Sequence, residues 1–363
     1  MQEALDFSQV LIEPRYSLVN SRKDVSLINS FTLPNSNQII TGVPIIASNM
    51  HSVGNLKTAK ILQEAEMFTC LSKFENPFEN HLDMETDNFK HGYLARKMSL
   101  TYSITRNKDL DPEYIIPSIG YDMKDSHVNR IFDNFNIVCV DVANAHTQRM
   151  IDYCTTLKRK YSEKAIIIGN LASCDSTLIQ KYIDAGVSGF KIGIGSGSMC
   201  TTRLQTGIGV PQFTLIRNFV EALKYYPDHL IISDGGIQTP GDIVKAFGAG
   251  ANIVMVGSMF AGFKDNSVAD ADGNVEIYGM SSNFASKQLD IKNHDHNVSE
   301  GKVVQIPQKQ ITLKEFTSEI KNCIRSACTY VGANYIGELS GKCNFIKVNQ
   351  QYNNSYDKYT IGD

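Results

Sequence analysis

The stretch GIGSGSMCTTRLQTGIGVPQ (193–212) holds the residue types best suited to covalent chemistry in this chain. Its glycines lead into one cysteine, Cys200, flanked by hydroxyl residues and followed by Arg203. The thiolate is the nucleophilic form of cysteine, and a nearby guanidinium favours it. Arg203 is therefore expected to act on the Cys200 thiol. The carbonyls of Gly195, Gly197 and Cys200 could also ring a monovalent cation. A lone loop cysteine is more often incidental, so the case rests on what else converges there. Two further glycine-bearing segments are SDGG (233–236) and VGS (256–258). Backbone N–H groups of adjacent glycines can approach a phosphate closely, and a following helix adds its N-terminal dipole. The alternative is that these glycines only make tight turns. Asp234 is placed to accept hydrogen bonds from a ribose diol.

Other candidates are weaker. DADGN (270–274) lacks the spacing and terminal Glu of a calcium loop and reads as a turn. His294 and His296 stand in a polar stretch without a third metal ligand. No G-x-G-x-x-G follows the first predicted strand, so a nicotinamide cofactor would be held without a Rossmann site.

The elements that must position these residues are short, β-branched, apolar runs ending in Gly, Asn, Ser or Asp. They are 44–50, 68–74, 97–104, 137–144, 165–172, 189–197, 230–236 and 252–259. Continuous apolar runs of this kind are how strands buried on both faces read. Amphipathic stretches at 147–161, 175–186 and 239–250 supply crossover helices. Eight strands alternating with helices predict an α/β fold, a (β/α)8 TIM barrel, with an open doubly wound sheet as the competitor. In the barrel, SDGG and VGS follow strands seven and eight, where phosphates often sit.

Residues 1–43 form an N-terminal extension expected to cover the barrel bottom or an edge. Residues 262–310 are polar and too long for an ordinary connection, so they are expected to form a flap over the site, the alternative being a surface insertion. A last helix and tail follow over 311–363. The 363 residues are read as one catalytic domain.

The composition is globular, with 42% hydrophobic and 20% charged residues. A net charge of −3 argues against a nucleic-acid partner but leaves a small anion open. No apolar run is long enough to span a bilayer, and MQEALDFSQV does not read as a signal peptide. Eight scattered cysteines without a C-x-x-C pair fit a reducing, cytoplasmic setting.

Taken together, GSMCTTR with TGIGVPQ, SDGGIQTPGDIVKAFGAGA, YGMSS, SEGK and IRSACTYVGA resemble the inosine monophosphate dehydrogenase and guanosine monophosphate reductase superfamily. The likeness runs from about residue 6 to about 349. No regulatory CBS domain pair interrupts the barrel, and YGMSS, SEGK and the short length favour the reductase branch. The resemblance implies NADPH-dependent reductive deamination of GMP to IMP and ammonia, a step of purine salvage. It makes Cys200 the nucleophile that forms a thioimidate at purine C2, with Thr202 and Glu300 shuttling the proton of the leaving amine.

By the same resemblance, the nucleotide meets Asp234, Gly235, Gly236, Gly257, Ser258, Gly279, Met280, Ser281, Asn297, Ser299 and Gly301. The cofactor meets Ser21, Arg22, Lys73, Asp141, Val142 and Ala143, with Ser326 and Thr329 supplied by a neighbouring subunit of a homotetramer. A potassium-like ion would use Gly195, Gly197, Cys200 and Arg203. Relatives usually read NMDTV where this chain has Asn49-Met50-His51-Ser52-Val53, and GPGS where it has Gly195-Ser196-Gly197-Ser198. DVANGY becomes Asp141-Val142-Ala143-Asn144-Ala145-His146, and the usual Tyr-Arg before the SEG segment is His296-Asn297. The usual Glu after Met-Ser-Ser is Asn283. Losing an arginine removes a five-donor cation, which could alter the purine or cofactor preferred. Two alternatives follow: an IMP dehydrogenase-type oxidoreductase, or a reductase-like enzyme or binder with altered purine nucleotide preference. The dehydrogenase needs an arginine–tyrosine pair on its flap, and 284–297 contains neither residue.

Overall fold

A computed structural model describes residues 3–75, 109–288 and 299–349 of the chain. Eight strands close into a parallel barrel. In chain order they are β1 (Ile45–Ala47), β2 (Phe68–Leu71), β3 (Ile115–Ile119), β4 (Ile137–Asp141), β5 (Ala165–Leu171), β6 (Gly189–Ile192), β7 (Leu230–Asp234) and β8 (Ile253–Val256). β8 pairs with β1 in parallel, Val254 opposite Ile45, and this closes the ring. Almost every strand residue is buried, because one face packs on helices and the other fills the barrel. The predicted barrel is the observed one, and the open sheet is excluded.

One strand differs from expectation. The segment 97–104 lies outside the described residues, and the third barrel strand is Ile115–Ile119, paired with β2 and β4. Pro117 sits inside it. Proline removes a ladder donor and argues against a strand in sequence, which is why IIPSI did not register as one.

The crossover helices begin and end where their caps dictate. The Thr147 side chain accepts from Met150 N–H to start Gln148–Lys160, and Asp175 accepts from Leu178 N–H to start Ser176–Asp184. Thr239 and Asp242 form a capping box at the head of Pro240–Ala249, which stops at Gly250. A second box, Thr312 with Glu315, opens the last helix, Leu313–Val331.

The N-terminal segment supplies a hairpin, Asn29–Thr32 with Ile39–Gly42, whose Leu33 and Ile40 pack among the strand beginnings. Between β8 and the last helix, Asn274–Tyr278 pairs antiparallel with Val303–Pro307. The short helix Asn283–Gln288 follows the first of these strands. No helix among the described residues is long and apolar enough to cross a membrane.

Candidate active site

The loops after β6, β7 and β8 meet at one point. Gly235, at φ +96°, lets the β7 loop pass against the β6 loop. A methyl group on Gly235 would lie 2.4 Å from Ser196 Oγ and 3.0 Å from Gly197 N, so only glycine fits. Ser198 and Ser258 share a hydroxyl hydrogen bond of 2.7 Å, tying the β8 loop in. Gly197 also accepts the Cys200 N–H at 3.0 Å. One residue therefore touches both the cysteine turn and the Gly235 corner, which puts the sulfur within a nucleotide's reach of the glycine amides.

Cys200 Sγ lies 3.0 Å from Thr202 Oγ1, and that hydroxyl donates to Glu300 Oε2 at 2.5 Å. Thr202 is buried and Cys200 half-buried. Glu300 comes from the flap segment, 98 residues away in sequence, and is brought in by backbone pairing. Thr201 N–H donates to Glu300 O at 2.7 Å, and Lys302 N–H to Met199 O at 2.9 Å. On the other side Glu300 N–H donates to Ser281 O and Gly279 N–H to Lys302 O. The three backbones are so close that a methyl on Gly279 would lie 2.9 Å from Gly301 Cα, and one on Gly301 would lie 2.9 Å from Ser282 N. YGMSS, SEGK and SMCTT thus form one seam. Ser299 Oγ accepts from Asn283 N–H at 3.2 Å at its edge. Asn297 lies outside the described residues, as do His294 and His296.

Arg203 has a bonding partner far along the chain. Its guanidinium donates to Asp6 Oδ2 at 2.8 Å and to Val210 O at 2.9 Å. Its charge is matched by the Asp6 carboxylate, and these bonds staple the loop to the N-terminal segment. No cluster of three or more His, Cys, Asp or Glu suited to a metal exists among the described residues.

Charged side chains gather beside this seam. Lys191 Nζ lies 2.9 Å from Asp141 Oδ1 and 3.0 Å from Asp234 Oδ2, and it also donates to Asn170 Oδ1. Asn170 Nδ2 donates to Asp234 Oδ2 at 2.9 Å and to Gly193 O at 2.7 Å. Both of these bonds to Asp234 fall on Oδ2. Lys73 Nζ stands 3.7 Å from Asp141 Oδ2. Burial disfavours the Asp141 carboxylate, but the Lys191 and Lys73 ammoniums outweigh it and bring its pKa down to about 2. A carboxyl group depressed in the folded state stabilises the fold fully above its unfolded pKa of about 3.9 and loses that contribution as pH falls through the folded value. Urea denaturation at pH 5 and pH 3 is thus expected to show a smaller acid loss of stability in Asp141→Asn than in the wild type. Lys191 and Asn170 were not singled out from sequence. The signal was there: a lysine within the apolar run GFKIGI must be paired if its strand is buried.

Lys73, Asp141, Val142 and Ala143 line the barrel mouth. Ser21 and Arg22 do not join them within the chain. They form a turn, Arg22–Asp24 capped by Ser21, packed on the outer helix Leu313–Val331 that carries Ser326 and Thr329. The expected cofactor residues thus fall into two groups, one on the barrel loops and one on the last helix and the turn packed against it.

Met280 is fixed from β1's loop. His51 N–H points at Met280 Sδ at 3.3 Å, and His51 Nδ1 pairs with the buried Tyr278 hydroxyl at 2.7 Å. A histidine or an aspartate at this position can each accept from a tyrosine hydroxyl. His51→Ala and Tyr278→Phe are each expected to raise the KM for the nucleotide about three- to fivefold, with the double change no worse than either and His51→Asp close to wild type. Steady-state kinetics of the four variants checks this.

The profile of the IMP dehydrogenase / GMP reductase domain matches residues 4–354. GMP reductase 2 of Homo sapiens is 36% identical over 359 residues, covering 96% of this chain and 95% of that protein. GMP reductase of Onchocerca volvulus is 32% identical over 364 residues, covering 98% and 94%. A crystal structure of a cysteine-to-alanine variant of Trypanosoma brucei GMP reductase in complex with guanosine 5'-monophosphate superimposes with a TM-score of 0.76 at 21% identity, covering 100% of this chain and 98% of that one. That likeness carries the barrel fold, while the profile and the sequence relatives carry the family. The chain belongs to the IMP dehydrogenase / GMP reductase family and is an oxidoreductase of that family.

Proposed function

We propose that the protein catalyses NADPH-dependent reductive deamination of GMP to IMP and ammonia. The observation that carries this is the line Cys200 Sγ, Thr202 Oγ1, Glu300 Oε2, with spacings of 3.0 and 2.5 Å. Thr202 has one proton and donates it to Glu300, so the thiol is the donor toward Thr202. The relay can therefore move the thiol proton to Glu300 and leave a thiolate. The thiolate attacks C2 of the purine. Glu300, through Thr202, returns the same proton to the 2-amino group, which leaves as ammonia as the C–N bond breaks. The product is a thioimidate joining Cys200 to C2. NADPH, when bound, supplies the hydride that ends on C2. Breakage of the S–C2 bond then gives IMP and restores the thiolate.

The phosphate lies at Gly235, Gly236, Gly257 and Ser258, and the ribose diol at Asp234. The purine lies along Gly279, Met280 and Ser281, with Ser299 and Gly301 behind it. Asp141 and Lys73, an ionised pair beside the exposed Ala143 and half-buried Val142, offer an acceptor and a donor for the nicotinamide end. Ser21, Arg22, Ser326 and Thr329 lie on an outer helix and its flank, in keeping with contact to a cofactor in a neighbouring subunit of a homotetramer. Neutral carbonyls suit a hard monovalent cation such as potassium. The carbonyls of Gly195, Gly197, Cys200 and Arg203 are the set such an ion would use, and Gly197 O and Arg203 O each accept one N–H and keep a second lone pair. The reaction serves purine salvage in the cytoplasm, where the free thiols of all eight cysteines persist.

Purified protein given GMP and NADPH is expected to consume NADPH and release IMP and ammonia. NADH formed from IMP and NAD⁺ with no use of GMP would instead make it a dehydrogenase, and GMP binding without turnover would make it a binder.

A further inference from the structure

We propose that Lys191 is the positioning residue that holds Asp141 and Asp234 together, so that one buried ammonium serves the cofactor and nucleotide subsites at once. The inference rests on the assignment of Asp234 to the nucleotide and Asp141 to the cofactor. One side chain from each barrel strand faces a small interior void: Ile46, Cys70, Ile116, Cys139, Ile167, Lys191, Ile232 and Met255. Lys191 is the one charged member of that ring, and it is 2% exposed. An ammonium has three N–H donors. Here they reach Asp141, Asp234 and Asn170, so none is left for a ligand. Lys191 therefore acts through its partners. Burial works against its charge, but the two carboxylates more than offset that and hold it firmly ionised.

The geometry explains why a lysine is needed at this place. Two carboxylates that each face a ligand are brought within reach of one atom. Without the ammonium they repel each other in a poorly hydrated site, and one must take a proton or swing away. Among the described carboxylates Lys73 approaches Asp141, at 3.7 Å, and not Asp234. Asn170 ties the arrangement to the cysteine loop through Gly193 O, so the same cluster also registers the carboxylates against the nucleophile.

The test is a comparison of Lys191→Met with Asp234→Asn and Asp141→Asn in steady-state kinetics, with thermal denaturation as the folding control. Lys191→Met is expected to raise the KM for GMP and the KM for NADPH together, each by about tenfold or more. Asp234→Asn should move chiefly the GMP value, and Asp141→Asn chiefly the NADPH value. A purely structural lysine would lower the active fraction, and so the apparent kcat, while leaving both KM values in place. Folded Lys191→Met with both values unchanged, or with only one displaced, overturns the proposal. If that variant does not fold, Asn170→Ala decides, because it removes the third anchor and keeps every charge. A joint rise of about threefold supports the proposal and no rise overturns it. A wild-type protein that binds neither GMP nor NADPH would overturn the functional reading, and this inference with it; wild-type turnover with unresponsive variants overturns this inference alone.

Discussion

Alanine in place of Cys200 is expected to cut turnover of GMP by about 10⁴-fold or more while changing GMP affinity less than about threefold. The Cys200 sulfur is the group proposed to bond to the purine ring. Its removal leaves the amine with no covalent route of departure. The contacts proposed for the phosphate lie elsewhere, on the Gly235 corner and at Ser258, and alanine should not disturb them. Cys200 N–H still donates to Gly197 O whatever the side chain, so the turn keeps its shape. Serine is expected to fare little better, because its hydroxyl holds its proton far more tightly than a thiol. Initial rates with calorimetric titration of GMP separate the two effects. Equal loss of rate and affinity would mean that the cysteine shapes the pocket instead of reacting in it.

The relay behind the sulfur gives the next largest effect. Thr202→Val breaks the line at its middle and Glu300→Gln at its end. Each is expected to lower kcat by about 10²–10³-fold, the range of general acid–base assistance. On the proposed relay one proton passes through both residues, so the double variant should fall no more than about twofold below the worse single one. Two independent losses that multiply would show that the residues serve separate steps. Thr202→Ser, which keeps the hydroxyl, should retain most of the activity. The geometry makes the distinction sharp: Thr202 is buried and bonded on both sides, so valine removes the connection with little change in volume.

Much of this was legible in the residues. Seven of the eight barrel strands announced themselves as β-branched runs, because a strand covered on both faces has no polar side to disguise it. The eighth was hidden by Pro117, whose missing N–H the pairing with β2 and β4 tolerates. Helix ends were readable at Thr147, Asp175 and Thr239 because capping is local chemistry. Partners distant in sequence were not. Arg203 looked like a companion of Cys200 three residues away, yet its partner is Asp6, 197 residues off. The Thr202–Glu300 bond came only from family likeness, since no spacing rule links a barrel loop to a flap. Lys191 was passed over because a strand counted as apolar conceals the one member that is not.

The account turns on a bond between Cys200 and purine C2, and intact-mass measurement tests it most directly. Protein incubated with GMP and quenched in acid should gain the mass of GMP less ammonia, on a peptide containing Cys200. Addition of NADPH before the quench should discharge the adduct and release IMP, and Cys200→Ala should never acquire it. Sustained conversion of GMP to IMP with no mass gain, or a gain located on any other residue, would contradict the account.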